Sequence, residues 1–188
     1  MVGKMTIRDV AGFCPEEAVW KMLADVSGLL LKEHVGGVLT PDSIVIDGNT
    51  FIVETGHETV NEFVAPECIG GGKTELKQMV WSLGAILYYM ATGHVIFGGH
   101  GSGYQKEHSS VPLPVLPKGL QNLTSVLQRC LSYCPQDRIG LEELNELSLQ
   151  GFLSCEKKQR IKTDLIVKDV KSEVKTIHEK WPEEMIEV

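Results

Sequence analysis

The sequence predicts a mainly α-helical domain wrapped around one buried helix, with a single small β-hairpin. Three observations lead there. Met79–Ala91 is apolar on every side, and Ser82 is its only conventional polar residue. A helix with no polar face belongs inside a core, and its thirteen residues fall short of the roughly twenty that a bilayer span needs. Apolar residues at helical spacing recur on both sides of this run, at Ala18, Val19, Met22, Leu23, Val26, Leu29 and Leu30, and again at Leu120, Leu123, Leu127, Cys130, Leu131 and Cys134. β-Branched residues concentrate in one place only, Ser43–Asp47 and Thr50–Glu54, around the turn pair Gly48 and Asn49.

Taken in order, Thr6-Ile-Arg-Asp9 opens a short helix, with Thr6 as its cap. Pro15 suits the first turn of a longer helix, with Glu16 and Glu17 where the helix dipole favours carboxylates. Gly36 and Gly37 end that helix, and the hairpin follows. The central helix is expected over about Thr74–Thr92, with Gly93 as its C-terminal stop. A Gly-, Pro- and Ser-rich connection fills 93–117. The next helix runs to Pro135, and a shorter one covers Leu141–Leu149.

With 188 residues, 43% hydrophobic and 23% charged, the chain fits one globular domain with an appendage. No apolar leader follows Met1, and the myristoylation pattern fails because Val2 stands where Gly is required. Five cysteines without CxxC spacing read as reduced thiols, and the expected location is the cytoplasm. The net charge of −7 is localised. Between Lys32 and Lys73 there is no Lys or Arg, while Glu33, Asp42, Asp47, Glu54, Glu58, Glu62 and Glu67 all fall there. The remaining 18 acids equal the 18 Lys and Arg. Such a stretch repels phosphates, so nucleic acid is not the expected partner.

Four motifs now carry a resemblance: Leu39–Ile46 (LTPDSIVI), Ala65–Glu67, Trp81–Tyr88 (WSLGAILY) and Cys130–Arg138 (CLSYCPQDR). Their order resembles a eukaryotic-type protein kinase C-lobe, with its catalytic loop, Ala-Pro-Glu motif, central F helix and closing Arg. The likeness covers about residues 5–155, and it implies a buried structural ion pair between Glu67 and Arg138. Departures from the family pattern fall on the chemistry. Gly36, Gly37 and Val38 stand where His-Arg-Asp is expected, and Val cannot accept a hydroxyl proton. Thr40 replaces the Lys, Ser43 the metal-binding Asn and Met79 the F-helix Asp, while Glu54-Thr55-Gly56 fills the place of Asp-Phe-Gly. Only a short run precedes the first long helix, which leaves no room for a glycine-rich loop and its lysine.

Thr6–Trp20 adds a resemblance to the KIND domains, C-lobe modules that bind proteins. The expectation is therefore a KIND-like domain over 1–155 that is not an enzyme, has no cofactor and serves as a protein-interaction scaffold. Asp42, Asp47, Glu54, Glu58 and Glu62 are the candidate partner-binding residues for a basic peptide or helix. Two alternatives remain: a kinase half completed by an N-lobe from another chain, and a small-molecule binder of unrelated helical fold.

Several patterns carry less than they suggest. Gly70–Thr74 imitates a phosphate-binding loop, but the pattern needs a Gly at the place of Glu67. Cys130 and Cys134 share a helical face without further ligands at zinc spacing. His94, His100 and His108 lie in a Gly-rich loop and read as solvated, while Trp20, Trp81 and Trp181 read as packing residues. Beyond the domain, 156–188 is expected as an amphipathic extension. Its Val167, Val170, Val174, Ile177 and Trp181 recur at steps of three and four, a narrow stripe that packs on the parent lobe or joins two copies through 156–181.

Overall fold

The computed structural model describes residues 4–33, 38–56, 61–69, 76–99, 112–113 and 115–180. Among the described residues the regular structure is five α-helices and one hairpin, so the mainly helical architecture stands: α1 (Ile7–Val10), α2 (Glu16–Lys32), β1 (Ile44–Asp47), β2 (Thr50–Val53), α3 (Leu76–Thr92), α4 (Thr124–Cys130) and α5 (Leu141–Lys180). Short 3-10 turns lie between them, among them Asn61–Phe63, Pro66–Cys68 and Pro135–Asp137. The chain divides into two compact units, Met1–Phe152 and Leu153–Val188.

The centre of the first unit is α3. Twelve of its seventeen residues are buried, and Val80, Trp81, Leu83, Ile86, Leu87 and Met90 are wholly so. Each such side chain contributes about 1.5–3 kcal/mol of burial free energy before ordering costs. Ser82, the polar exception, donates to the Phe63 carbonyl at 2.6 Å and to Gln78 O at 3.2 Å. A buried hydroxyl thereby has its partners and pins the Asn61–Phe63 turn to the helix. Phe63 adds an edge-to-face contact with Tyr89, ring centroids 6.0 Å apart.

α2 buries Val19, Met22, Leu23, Val26 and Leu30, the face that the spacing specifies, while Ala18 and Leu29 are half-buried. Pro15 stands at its N-cap with extended backbone, and Glu16 accepts from Trp20 Nε1 and Asn122 Nδ2. Thr6 caps α1 through a capping box with Asp9. The helix ends at Lys32, before Gly36 and Gly37, which lie outside the described residues. The hairpin pairs Ile44 with Val53 and Asp47 with Thr50 around Gly48–Asn49. Gly48 alone there has positive φ, 58°, the arrangement in which Gly takes the first turn position. Asp25 receives the Phe51 N–H at 3.0 Å and fixes the hairpin to α2.

Two helices differ in length from the sequence expectation. α4 ends at Cys130 rather than continuing to Cys134, which is exposed. The physical reason lies in Arg138, whose guanidinium takes the carbonyls of Ser132 and Tyr133 and turns the chain there. The last helix does not stop at Leu149, since α5 runs unbroken to Lys180. No proline or glycine cluster interrupts 152–180, so nothing local ends the hydrogen-bond ladder. Asn145 ties the start of α5 to α2 by donating to Ala24 O and Ser27 Oγ, both at 2.9 Å.

α3 and α4 touch at Gly84. A Cβ there would sit 2.6 Å from Cys130 Cβ and 3.1 Å from the Leu131 side chain. Burial pushes the Cys130 thiol up to about 12, so it stays protonated and packs as an apolar group. Gly84→Ala should therefore overpack the helix crossing and cost about 1–3 kcal/mol. Urea denaturation followed by circular dichroism measures this, and an unchanged midpoint would contradict the close approach.

Candidate functional site

The candidate carboxylates occupy three kinds of environment. Glu67 belongs to the Pro66–Cys68 turn and meets Arg138, which follows the Pro135–Asp137 turn. Arg138 Nη1 donates to Glu67 Oε1 at 2.5 Å and Nη2 to Oε2 at 2.7 Å, the bidentate geometry that suits a planar fork. Its remaining bonds go to main-chain carbonyls: Ser132 at 2.8 Å, Lys77 at 3.0 Å and Tyr133 at 3.1 Å. The guanidinium carbon also lies 5.0 Å from the centre of the Trp81 ring. Trp81 Nε1 has no hydrogen-bond partner among the described residues, so the ring serves as a platform and not as a donor. The Arg138 side chain is fully buried, whereas Glu67 is one-third exposed. Lys77 closes the knot by donating to the Arg138 carbonyl at 2.6 Å. One cation thus joins the Ala-Pro-Glu turn, α3 and the chain after α4.

Asp42 and Glu54 are engaged with the N-terminal segment. Arg8 meets Asp42 through two bonds of 2.6 and 2.5 Å, and the Asp42 hydrogen bond raises the Arg8 pKa. Lys4 Nζ lies 2.5 Å from Glu54 Oε1. Both pairs are solvent-exposed to a large extent, where such bridges contribute about 0–1 kcal/mol. They nonetheless cancel two of the charges that the sequence assigns to a partner surface, because Lys4 and Arg8 come from outside the acidic stretch. Asp47 is exposed at the hairpin end, and Glu62 is half-exposed in the Asn61–Phe63 turn. Glu58 lies outside the described residues, as do Gly70–Thr74, His100, His108 and Trp181.

Two residues at the catalytic-loop positions, Thr40 and Ser43, are packed inward. Thr40 and Ser43 are almost wholly buried and satisfy one another: Thr40 N donates to Ser43 Oγ at 2.9 Å, Ser43 Oγ to Thr40 O at 2.9 Å, and Ser43 N to Thr40 Oγ1 at 3.3 Å. This is a closed local turn. Ser43 is engaged within that turn, and Glu54 is bridged to Lys4. No cluster of three metal-ligating side chains occurs among the described residues, and His94 is exposed. None of the five cysteines forms a disulfide. No helix among the described residues is long and apolar enough to cross a membrane.

The model of the protein kinase domain matches residues 50–149. The chain belongs to the protein kinase domain family. Three curated relatives agree in kind. Ribosomal protein S6 kinase-like 1 of Pongo abelii is 30% identical over 74% of this chain and 28% of its own length. The serine/threonine-protein kinase PkaB of Streptomyces coelicolor is 26% identical over 70% and 38%, and the dual specificity protein kinase Ttk of Danio rerio is 35% identical over 65% and 13%. The chain spans well under half the length of these relatives.

These findings correct the expectation that the chain is not an enzyme: its family and the names of its relatives point to a kinase enzyme. The expectation rested on single side chains, Val38, Thr40, Ser43 and Met79, and on the short run ahead of α2. Family membership is shown instead by the match over 50–149, and a segment covering 13–38% of its relatives says nothing about what accompanies it.

Removal of either partner of the Glu67–Arg138 pair should be felt unequally. Arg138→Met strands a carboxylate and three carbonyls and should cost about 3–5 kcal/mol. Glu67→Gln keeps one acceptor and should cost less. Chemical denaturation of both single variants and the double variant measures the coupling, and strictly additive losses would show that the two side chains do not interact.

Proposed function

We propose that this kinase-family chain acts as a protein-docking unit, whose acidic stretch receives a basic peptide or helix. The observation that carries the reading is the charge distribution: seven carboxylates over 33–67 with no Lys or Arg among them. Such a field steers a cationic ligand and speeds its encounter. The KIND-like opening supports the same role, because those domains bind proteins. Asp47 and Glu62 are the principal contacts, together with Glu58, since Asp42 and Glu54 are already bridged to Arg8 and Lys4. Free thiols fit a reducing compartment such as the cytoplasm. A fluorescein-labelled oligolysine peptide tests this by anisotropy. Affinity should fall steeply as salt rises past the point where screening acts over about 8 Å. The triple variant Asp47→Asn, Glu58→Gln, Glu62→Gln should bind several-fold more weakly at an unchanged melting temperature. Equal binding by the variant, without salt dependence, would refute the acidic site.

A second reading concerns α5. Ile161, Leu165, Ile166 and Val167 are about half exposed on this helix, and the apolar series continues at Val170, Val174 and Ile177. We read this as a seam for a second copy over 156–181, consistent with apolar recurrence at steps of three and four. Sedimentation should then show a dimer that Ile166→Asp together with Val170→Asp converts to a folded monomer. A wild-type monomer at high concentration would rule the seam out.

A further inference from the structure

A cavity of about 520 Å³ opens between α1, the start of α2, the hairpin turn, the end of α3 and Phe152. Its size falls in the range of about 300–1,000 Å³ typical of ligand sites. Of the four kinase motifs only Leu39–Ile46 reaches it, through Ile46. Phe51, Met90 and Phe152 form its apolar walls, and Phe13 stands at its edge. Phe13 is 92% exposed. An aromatic ring left in water and continuous with an apolar cavity makes a larger patch than a scattered surface side chain does, and such patches mark binding surfaces.

The rim decides what enters. Glu17 lines the cavity and makes no hydrogen bond or ion pair among the described residues. Asp9 caps α1 through Oδ2 alone, accepting from Thr6 N and Oγ1, which leaves its other oxygen unengaged by the cap. Lys21 supplies no net positive charge, since its ammonium is held by both Asp25 oxygens at 3.1 and 3.0 Å and rests 5.3 Å from the Phe152 ring. Asp47 is exposed next to the lining residue Gly48. The cavity is therefore apolar within and anionic at its mouth.

We propose that this cavity docks a linear peptide through an aromatic or branched apolar side chain, inserted beside Phe13 and Met90, with a flanking Arg or Lys paired to Glu17. The carboxylates at the mouth come from α1, α2 and the hairpin, an arrangement that an extended chain spans more readily than a compact ligand. This rests on the basic-peptide reading above and deepens it, because charge supplies encounter while the apolar anchor supplies residence.

The test uses the full chain and two fluorescein-labelled peptides. The first carries two arginines followed by leucine and phenylalanine, and in the second both apolar residues are serine. The first should bind about tenfold more tightly, a reasonable effect for filling an apolar pocket. Phe13→Ser should remove most of that preference, and Glu17→Gln should weaken binding of the first peptide several-fold, both at an unchanged melting temperature, since the ring is exposed and the carboxylate has no partner among the described residues. Equal affinity of the two peptides, or full affinity of both variants, would overturn the proposal. If both peptides bind equally and weaken with the Asp47, Glu58 and Glu62 triple variant, the acidic stretch remains the site and the cavity does not. If neither peptide binds, both readings fail. Phenethylamine that competes as strongly as the first peptide would make the cavity a small-cation site and would also overturn the peptide occupant.

Discussion

A helix without a polar face governs this structure. α3 has no side that water can cover without loss, so every neighbour must supply apolar area to it. α2, α4 and the Asn61–Phe63 turn do so, and each presents the residues that its own spacing concentrates on one face. The helix interior accommodates the Ser82 hydroxyl because it donates to the Phe63 carbonyl, a buried acceptor. Close approach then becomes a further constraint. Gly84 lets Cys130 and Leu131 sit against the helix backbone, and a thiol in that position behaves as a small hydrophobe because its ionised form cannot be solvated there.

A buried cation is the second constraint. Arg138 lies in the interior only because its N–H groups meet Glu67 and three carbonyls while Trp81 covers its face. Desolvating a guanidinium is costly, and partial pairing would not compensate. The same bonds shape the chain, since the carbonyls of Ser132 and Tyr133 are drawn away from a helical ladder. Local backbone geometry after α4 is thus set by a side chain several residues later, which in turn depends on a carboxylate from the Ala-Pro-Glu turn. Glu67, α3 and Arg138 all fall within 50–149, the segment that matches the protein kinase domain.

The candidate surface shows how charge and contact can diverge. Seven carboxylates in one stretch are legible by counting, but counting along the chain does not reveal which of them a distant segment neutralises. Arg8 reaches Asp42 and Lys4 reaches Glu54 because residues 5 and 6 lie against β1, where Ile46 N donates to Met5 O at 2.8 Å and Thr6 bridges Val45. The cavity beside Phe13 was likewise invisible in sequence. Phe13 carries no periodic signal, and Phe51, Met90 and Phe152 come from three separate elements.

Periodicity and turn chemistry alone determined the buried helix, the amphipathic face of α2 and the hairpin around Gly48–Asn49. Those features rest on local sterics and on one-dimensional spacing, which a single chain displays openly. Motif order also determined the kinase likeness, but reading enzyme status from substituted positions failed, since the family is shown by a match over 50–149 and by named kinases among the relatives. The early stop of α4, the neutralised carboxylates and the cavity were decided only by tertiary structure. Each depends on groups far apart in sequence, brought together when α3 was covered and Arg138 found its partners.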